Sequence, residues 1–365
     1  MVRKSTLSPS PAPAPETPQG LGQRGGVKRI QMADIARMAG VSTATVSRAL
    51  SGSPLIQQDT RERIADLARS LNYRVNASAA SLRRKDISTV GVVMLDNVER
   101  PIQAASDPFI MSMVACLADA LAERGQDMLL ARYGHNRMDQ LPDLVETGRV
   151  AGLIVMGQWS WHDQLNAMAR RGVPMAVWGA AVPGTLYAVV GSDNETGGYL
   201  ATRHLIDQGC QRIAYLGDLQ HPEAALRHQG YLRALREAGH TPRDIWQKPI
   251  LFAAPSLNGI VDEWVAENAM PDGVFVSSDL AAMGLVRALS AHGLGVPTDV
   301  RLVGFDDIAL AEHFHPSLTT VRQSMATAGP ALVQMLADQL QGMHRSPLVL
   351  PAELIVRESS LPPRG

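Results

Sequence analysis

From Ser88 to the C-terminus the chain alternates short apolar runs with amphipathic stretches, and no other feature constrains its fold as tightly. Candidate strands are Thr89 to Leu95, Met128 to Ala131, Gly152 to Met156, Met175 to Trp178, Ala188 to Gly191, Arg212 to Leu216, Gly273 to Val276 and Arg301 to Gly304. Helical stretches such as Asp107 to Arg124, Glu195 to Gln208, Ala224 to Ala238 and Ala281 to His292 lie between them. Strand, crossover helix and strand in repetition is the unit of a parallel sheet covered on both faces. About 275 residues of it exceed one comfortable doubly wound sheet, so two lobes are expected, with a cleft at the carboxyl ends of their strands.

Residues 30 to 71 follow a different period. Ile35, Ala36, Met38 and Ala39 mark one short helix, and Val46, Ala49 and Leu50 a second. Ile64, Leu67, Ala68 and Leu71 form an i, i+3, i+4, i+7 stripe on a third. Gly40 closes the first helix, Ser42 is placed to cap the second, and Gly52-Ser53-Pro54 ends it. The arrangement is a helix-turn-helix with a buttress helix.

Charge separates this segment from the rest. Residues 28 to 85 hold eleven Lys or Arg against four Asp or Glu, whereas residues 86 to 365 hold twenty against thirty, within a net charge of −1. A basic end on an acidic body suits a polyanion partner at that end alone, because cationic side chains near phosphates release condensed counterions. The second helix presents Thr43, Ala44, Thr45, Ser47 and Arg48, and a helix of this size fits the major groove of DNA. Arg48, one turn beyond Ala44, is suited to a bidentate bond with guanine, while Ser42, Thr45 and Ser47 are the right size for phosphate oxygens. The run Asn76 to Lys85 is too short and alanine-rich to hold itself helical, and its one large apolar residue, Leu82, is suited to wedging into a base step.

Other readings of the chain carry less. Residues 1 to 26 are Pro, Ser, Gly and Ala with almost no large apolar side chains and read as a disordered arm. Gly20, Gly22 and Gly25 spell G-x-G-x-x-G there, but no strand precedes them and the dinucleotide reading fails on context. Cys116 and Cys210 lack metal or redox spacing, so reduced, packed thiols are expected, with no metal and no cofactor. Glu312-x-x-His315 has no second copy to complete a carboxylate-bridged site, and Asp306-Asp307, directly after a strand, reads as a local cap or pair. No catalytic residue is therefore assigned. The N-terminus lacks the apolar centre of a signal peptide and no apolar run approaches a membrane span, so a cytoplasmic protein is expected.

The order of residues resembles the lac repressor family of regulators (LacI/GalR type). MADIARMAGVSTATVSRALSGSP and TRERIADLARSLNYRVNASAASLRR carry the likeness, followed by DPFIMSM, VGSDNETGGYLATRHLIDQG, VSSDLAAMGLVRAL, PTDVRLVGFDD, LTTVRQ and LPAELIVRESS. The resemblance implies an all-α helix-turn-helix domain over 27–75, a hinge helix and linker over 76–87, and an α/β core like the two-lobed periplasmic sugar-binding proteins over 88–363. Lobe one is expected at 88–209 and 306–321, and lobe two at 210–305 and 322–363. It further implies a homodimer on a pseudo-palindromic double-stranded operator, acting as a repressor at the nucleoid under control of a small molecule, most simply a sugar. The absence of a heptad tail after Glu358 favours a dimer over a tetramer. By position, Thr43, Ala44 and Arg48 match the major-groove readers, Tyr73 and Asn76 backbone contacts, Ala79 a close hinge–hinge approach and Leu82 the wedge. Arg227 and Asp279 match the pair that holds the effector, with Asp193 and Phe109 at further cleft positions. Three positions depart from the pattern: Gln31 and Gln57 replace usual helix caps, Val75 a usual proline. At a fourth, Ala254, relatives often carry an aromatic; Trp159 and Trp161 are the nearest substitutes, though both read first as buried core residues.

Overall fold

The computed structural model describes residues 31–50, 53, 55–71, 87–95, 107–158, 160–250 and 257–362. It divides into two compact units, the second beginning at Arg84.

The first unit holds α1 (Met32–Ala39), α2 (Thr43–Leu50) and α3 (Gln58–Ser70). Their apolar stripes meet in one cluster of Ile35, Ala36, Val46, Ala49, Ile64 and Ala68. So small a core leaves little margin, and the ends of the helices matter accordingly. Gly40 stops α1 at φ 68°, and Ser42 caps α2 by accepting from the Thr45 amide at 3.1 Å. Gln31 and Gln57 give their helices no side-chain cap of this kind, though Asp34 accepts from the Gln31 amide at 3.0 Å.

The second unit alternates strands and helices along its whole length. In chain order it comprises β1 (Thr89–Leu95), α4 (Pro108–Ala122), β2 (Asp127–Tyr133), α5 (Asp143–Glu146), β3 (Leu153–Met156), α6 (His162–Arg170), β4 (Met175–Trp178) and β5 (Ala188–Ser192). It continues through α7 (Asn194–Asp207), β6 (Ile213–Leu216), α8 (Pro222–Glu237), β7 (Gln247–Lys248), α9 (Asn258–Ala266), β8 (Gly273–Val276), α10 (Asp279–Ala291) and β9 (Arg301–Asp306). It closes with α11 (Ala309–His313), β10 (Thr319–Gln323), α12 (Met325–Leu340), β11 (Leu348–Leu350) and β12 (Ala352–Ile355). Two six-stranded sheets result, ordered β11-β5-β4-β3-β1-β2 and β12-β10-β9-β8-β6-β7. Every pairing is parallel except β10 with β12. The central strands β1, β3, β4, β6 and β8 are buried almost throughout, as sheets covered on both faces require.

The division into lobes differs from the expectation. β10 pairs with β9, so residues 319–323 belong to the second lobe, and α12 returns to pack on α4 and on β3, β4 and β5 of the first. β11 then joins β5, and β12 goes back to β10. The chain thus crosses between sheets three times, near Asp193, Ser324 and Pro351. α7, placed in lobe one on sequence, packs against α8 and the second sheet. The cause is a close helix approach: a Cβ on Gly198 would lie 2.0 Å from the Arg227 carbonyl oxygen, and one on Gly230 2.0 Å from that of Glu195. Only glycine at both positions permits it.

Candidate functional site

In the first unit, burial of Val46 and Ala49 turns one face of α2 inward and fixes the other outward. Thr43, Ala44 and Arg48 are exposed on that outer face, with Ser42 exposed at its N-terminus. Thr45 and Ser47 are half-buried, and the Thr45 hydroxyl lies 2.9 Å from that of Ser42. The exposed face therefore offers a methyl, two hydroxyls and a guanidinium at the helix start, a set able to read base edges in a major groove. Tyr73, Asn76, Ala79 and Leu82, with the whole expected hinge over 76–87 up to Asp86, lie outside the described residues, as does Val75.

In the second unit, a cavity of about 580 Å³ including its mouth opens where the carboxyl ends of both sheets face each other. The first lobe contributes Asp107, Phe109 and Ile110 from the start of α4, then Gly157, Trp178, Gly179 and Ser192 from the ends of β3, β4 and β5. The second contributes Asn194, Glu223, Arg227, Asp306 and Gln323. The Phe109 and Trp178 rings, 6.3 Å apart between centroids, form an apolar wall. Facing it is a polar wall: Arg227 Nε donates to Asn194 Oδ1 at 2.8 Å, and its Nη1 donates to the Ser277 carbonyl. The guanidinium carbon sits 3.6 Å from the centroid of Phe305, which holds the group flat.

Burial dominates the electrostatics. It raises the carboxyl pKa values of Asp107, Glu223 and Asp306, while the Arg227 guanidinium beside the last two works against the rise. Asp306, well above the ordinary range, also feels Asp279 and Asp107 as like charges. Gln323 Nε2 donates to Asp306 Oδ1 at 2.7 Å. Asp306 and Asp307 both adopt positive φ, 120° and 54°, a backbone cost concentrated at the cleft end of β9. Asp307 faces away from this chemistry and pairs with Arg322 Nε and Arg357 Nη2, each at 2.7 Å. An aromatic wall opposite acceptor-rich polar groups is the makeup of a site that holds a small polyhydroxylated molecule.

Residues 31–76 match the family "Bacterial regulatory proteins, lacI family", and residues 202–360 match "Periplasmic binding protein-like domain". The HTH-type transcriptional regulator GalS of Salmonella typhimurium is 33% identical over 320 residues, which span 86% of this chain and 91% of GalS. The chain belongs to the lacI family of bacterial regulatory proteins. Among solved structures, the lac repressor dimer bound to operator and the anti-inducer ONPF aligns with a TM-score of 0.79 at 25% identity. That alignment covers 92% of this chain and all of the repressor chain. The transcriptional regulator CelR in complex with cellobiose aligns with a TM-score of 0.65 at 30% identity, covering 91% of this chain and all of CelR. This lacI-family member is accordingly a sequence-specific, DNA-binding transcription regulator.

Of the four effector residues expected in this regulator, the structure brings Arg227 and Phe109 onto one cavity. The other two are elsewhere. Asp279 is fully buried behind the wall, accepting from the Thr320 hydroxyl at 2.6 Å and the Ile308 amide at 3.0 Å. Asp193 caps α7 by accepting from the Thr196 amide at 3.0 Å. Both carboxylates sit at helix starts, Asp193 held by the amide of its own helix and Asp279 by donors from distant segments. Trp161 is a core residue, while Trp159 and Ala254 lie outside the described residues. The aromatic on the wall is Trp178, which sequence reasoning read only as the end of a strand. Asp306, read as a local cap, lines the cavity, and Asn194 and Glu223 were missed. A signal for all of them exists: each lies within two residues of the carboxyl end of a strand or the start of a helix, where open α/β folds bind ligands. Among the described residues no group of three or more His, Cys, Asp or Glu is placed to hold a metal, and no helix is long and apolar enough to cross a membrane.

Proposed function

We propose that the chain is a sugar-responsive repressor that binds a pseudo-palindromic operator as a homodimer and acts at the nucleoid in the cytoplasm. The observation that carries the effector half is the cavity itself, which draws residues from both lobes. A ligand that bridges them changes their relative arrangement through contacts that differ between two states, which is the physical requirement for control of DNA affinity. The sugar class is supported by Phe109 and Trp178 facing Arg227, Asn194 and Asp306, and by the cellobiose of the CelR complex. Arg227 and Phe109 are the binding groups, Asp193 acts through the start of α7 that it caps, and Asp279 acts through the Thr320 and Ile308 groups that it holds. Thr43, Ala44 and Arg48 read bases, Ser42, Thr45 and Ser47 meet phosphates, and Tyr73, Asn76, Ala79 and Leu82 complete the contact through the hinge. The matched family and the relative GalS are transcription regulators, and Glu312 and His315 are both exposed, so we read the chain as a regulator without catalysis.

The test is fluorescence anisotropy with DNA from upstream of the protein's own gene, titrated with and without neutral sugars. Wild type is expected to change operator affinity with one of them, and Arg227→Ala to keep DNA binding while losing the response. An Arg227→Ala protein that responds like wild type would show that the site lies elsewhere.

A further inference from the structure

The charges around the cavity do not balance. Among the described residues, Asp107, Glu223 and Asp306 put three carboxylates on its wall against one guanidinium, that of Arg227. That guanidinium is already engaged by Asn194, the Ser277 carbonyl and the Phe305 ring. Helix N-termini are the other ready anion sites of a fold like this one. Three that meet the cavity wall carry a carboxylate of their own chain: Asp107 caps α4, Asp193 caps α7 and Glu223 lies in the first turn of α8, while that of α12, just after the wall residue Gln323, carries none. Beside the cavity, Gln158 is fully buried with neither amide atom partnered. It presses on the wall residue Gly179, where a Cβ would lie 2.3 Å from its Oε1. A buried amide in that state gains from any hydroxyl that reaches it.

We propose that the cleft selects by charge, taking an uncharged, hydroxyl-rich ligand and rejecting its phosphorylated or carboxylated counterparts. The inference rests on the effector reading above and adds a specificity to it. A sugar hydroxyl both donates and accepts, so it can meet carboxylates and amides alike, whereas a phosphate or carboxylate brings only acceptors and negative charge. Burial already raises the proton affinity of all three carboxylates, and Asp306 also feels Asp107 and Asp279 as like charges, so a further anion meets an unfavourable wall whose one cation among the described residues is already engaged. Glu223 and Asp306 are thus specificity-determining residues, placed on the second lobe where an anionic group would have to dock against Arg227.

The experiment is isothermal titration calorimetry on the full chain with D-ribose, D-glucose, D-galactose and cellobiose, set against ribose 5-phosphate, glucose 6-phosphate, glucuronate and galacturonate. At least one uncharged sugar is expected to bind, and its charged counterpart to bind roughly tenfold or more weakly. Glu223→Gln is expected to narrow that gap severalfold. An anion that binds as tightly as its parent sugar, with binding still lost in Phe109→Ala, overturns charge selection and leaves the site standing. Binding that is indifferent to Phe109→Ala overturns the effector reading and this inference with it, and so does failure of every uncharged sugar to bind.

Discussion

Ser192 donates its hydroxyl to Gln323 Oε1 at 2.8 Å, joining the last residue of β5 in one sheet to the last residue of β10 in the other. Both side chains are buried, and both stand where the chain crosses between lobes. Gln323 uses its other amide atom on Asp306, so a continuous path of hydrogen bonds runs from the crossovers to the cavity wall. Gln323→Leu leaves the Ser192 hydroxyl and an Asp306 oxygen short of partners. It is expected to destabilise the core by about 1–3 kcal/mol and to weaken ligand binding. Urea unfolding and calorimetry measure the two; stability and binding both unchanged would show that the path carries nothing.

Arg48 supplies the only cation on the exposed face of α2. A bidentate bond to guanine gives it sequence preference, so Arg48→Ala is expected to cost about 1–3 kcal/mol per half-site on the operator and little on random DNA. Equal losses on both DNAs in a competition gel shift would make it a phosphate contact instead.

The contact between α7 and α8 admits no side chain at Gly198 or Gly230. Gly198→Ala pushes against the backbone of Arg227 itself, which shifts the guanidinium relative to Asn194. Overpacking of this kind costs about 1–3 kcal/mol or more, and ligand affinity is expected to fall with it. Thermal unfolding of Gly198→Ala against an exposed control with open space around it, Gly259→Ala, reads the effect. Equal shifts in the two would remove the argument from close packing.

How much of this was legible depends on how far burial speaks through the sequence. Buried strands such as Thr89–Leu95, Met175–Trp178 and Gly273–Val276 are continuous apolar runs and were read at their observed bounds. The edge strands Gln247–Lys248, Leu348–Leu350 and Ala352–Ile355 have only two to four residues and few buried positions, so no period marks them. α12 was missed with Pro330 inside it, and with it the return to the first lobe. In the site, Arg227 was found through its position in the family pattern, since on composition it is an ordinary helix charge. Asp306 and Asp307 show the limit best. Two identical neighbours have opposite fates, one on the cavity and one locked to Arg322 and Arg357, because the partners arrive from residues 15 to 50 positions away along the chain.

The buried carboxyl of Asp279 sets the expected response to pH. Burial raises its pKa to about 7, against the bonds from Thr320 and Ile308 and the charge of Arg357, with the nearby Asp307 adding to the rise. In the unfolded chain the same group titrates near 4, at roughly 3.9. Between those values the folded state binds a proton that the unfolded state releases. The stability it contributes is therefore complete below about pH 4 and is lost as pH rises through about 7. Asp306 and Glu223, also raised by burial, act in the same direction, whereas Asp338, lowered by Gln334 and Arg345, acts in the opposite one and loses its contribution only in acid. The core is thus expected to unfold at a lower temperature at pH 8 than at pH 6. Asp279→Asn removes the proton while an amide can still accept from the Ile308 N–H and donate to the Thr320 hydroxyl, so it is expected to flatten that slope. Scanning calorimetry of both proteins from pH 5 to pH 8 decides it: parallel slopes would mean that Asp279 is ionised in the folded core throughout, and that its neighbours offset its burial in full.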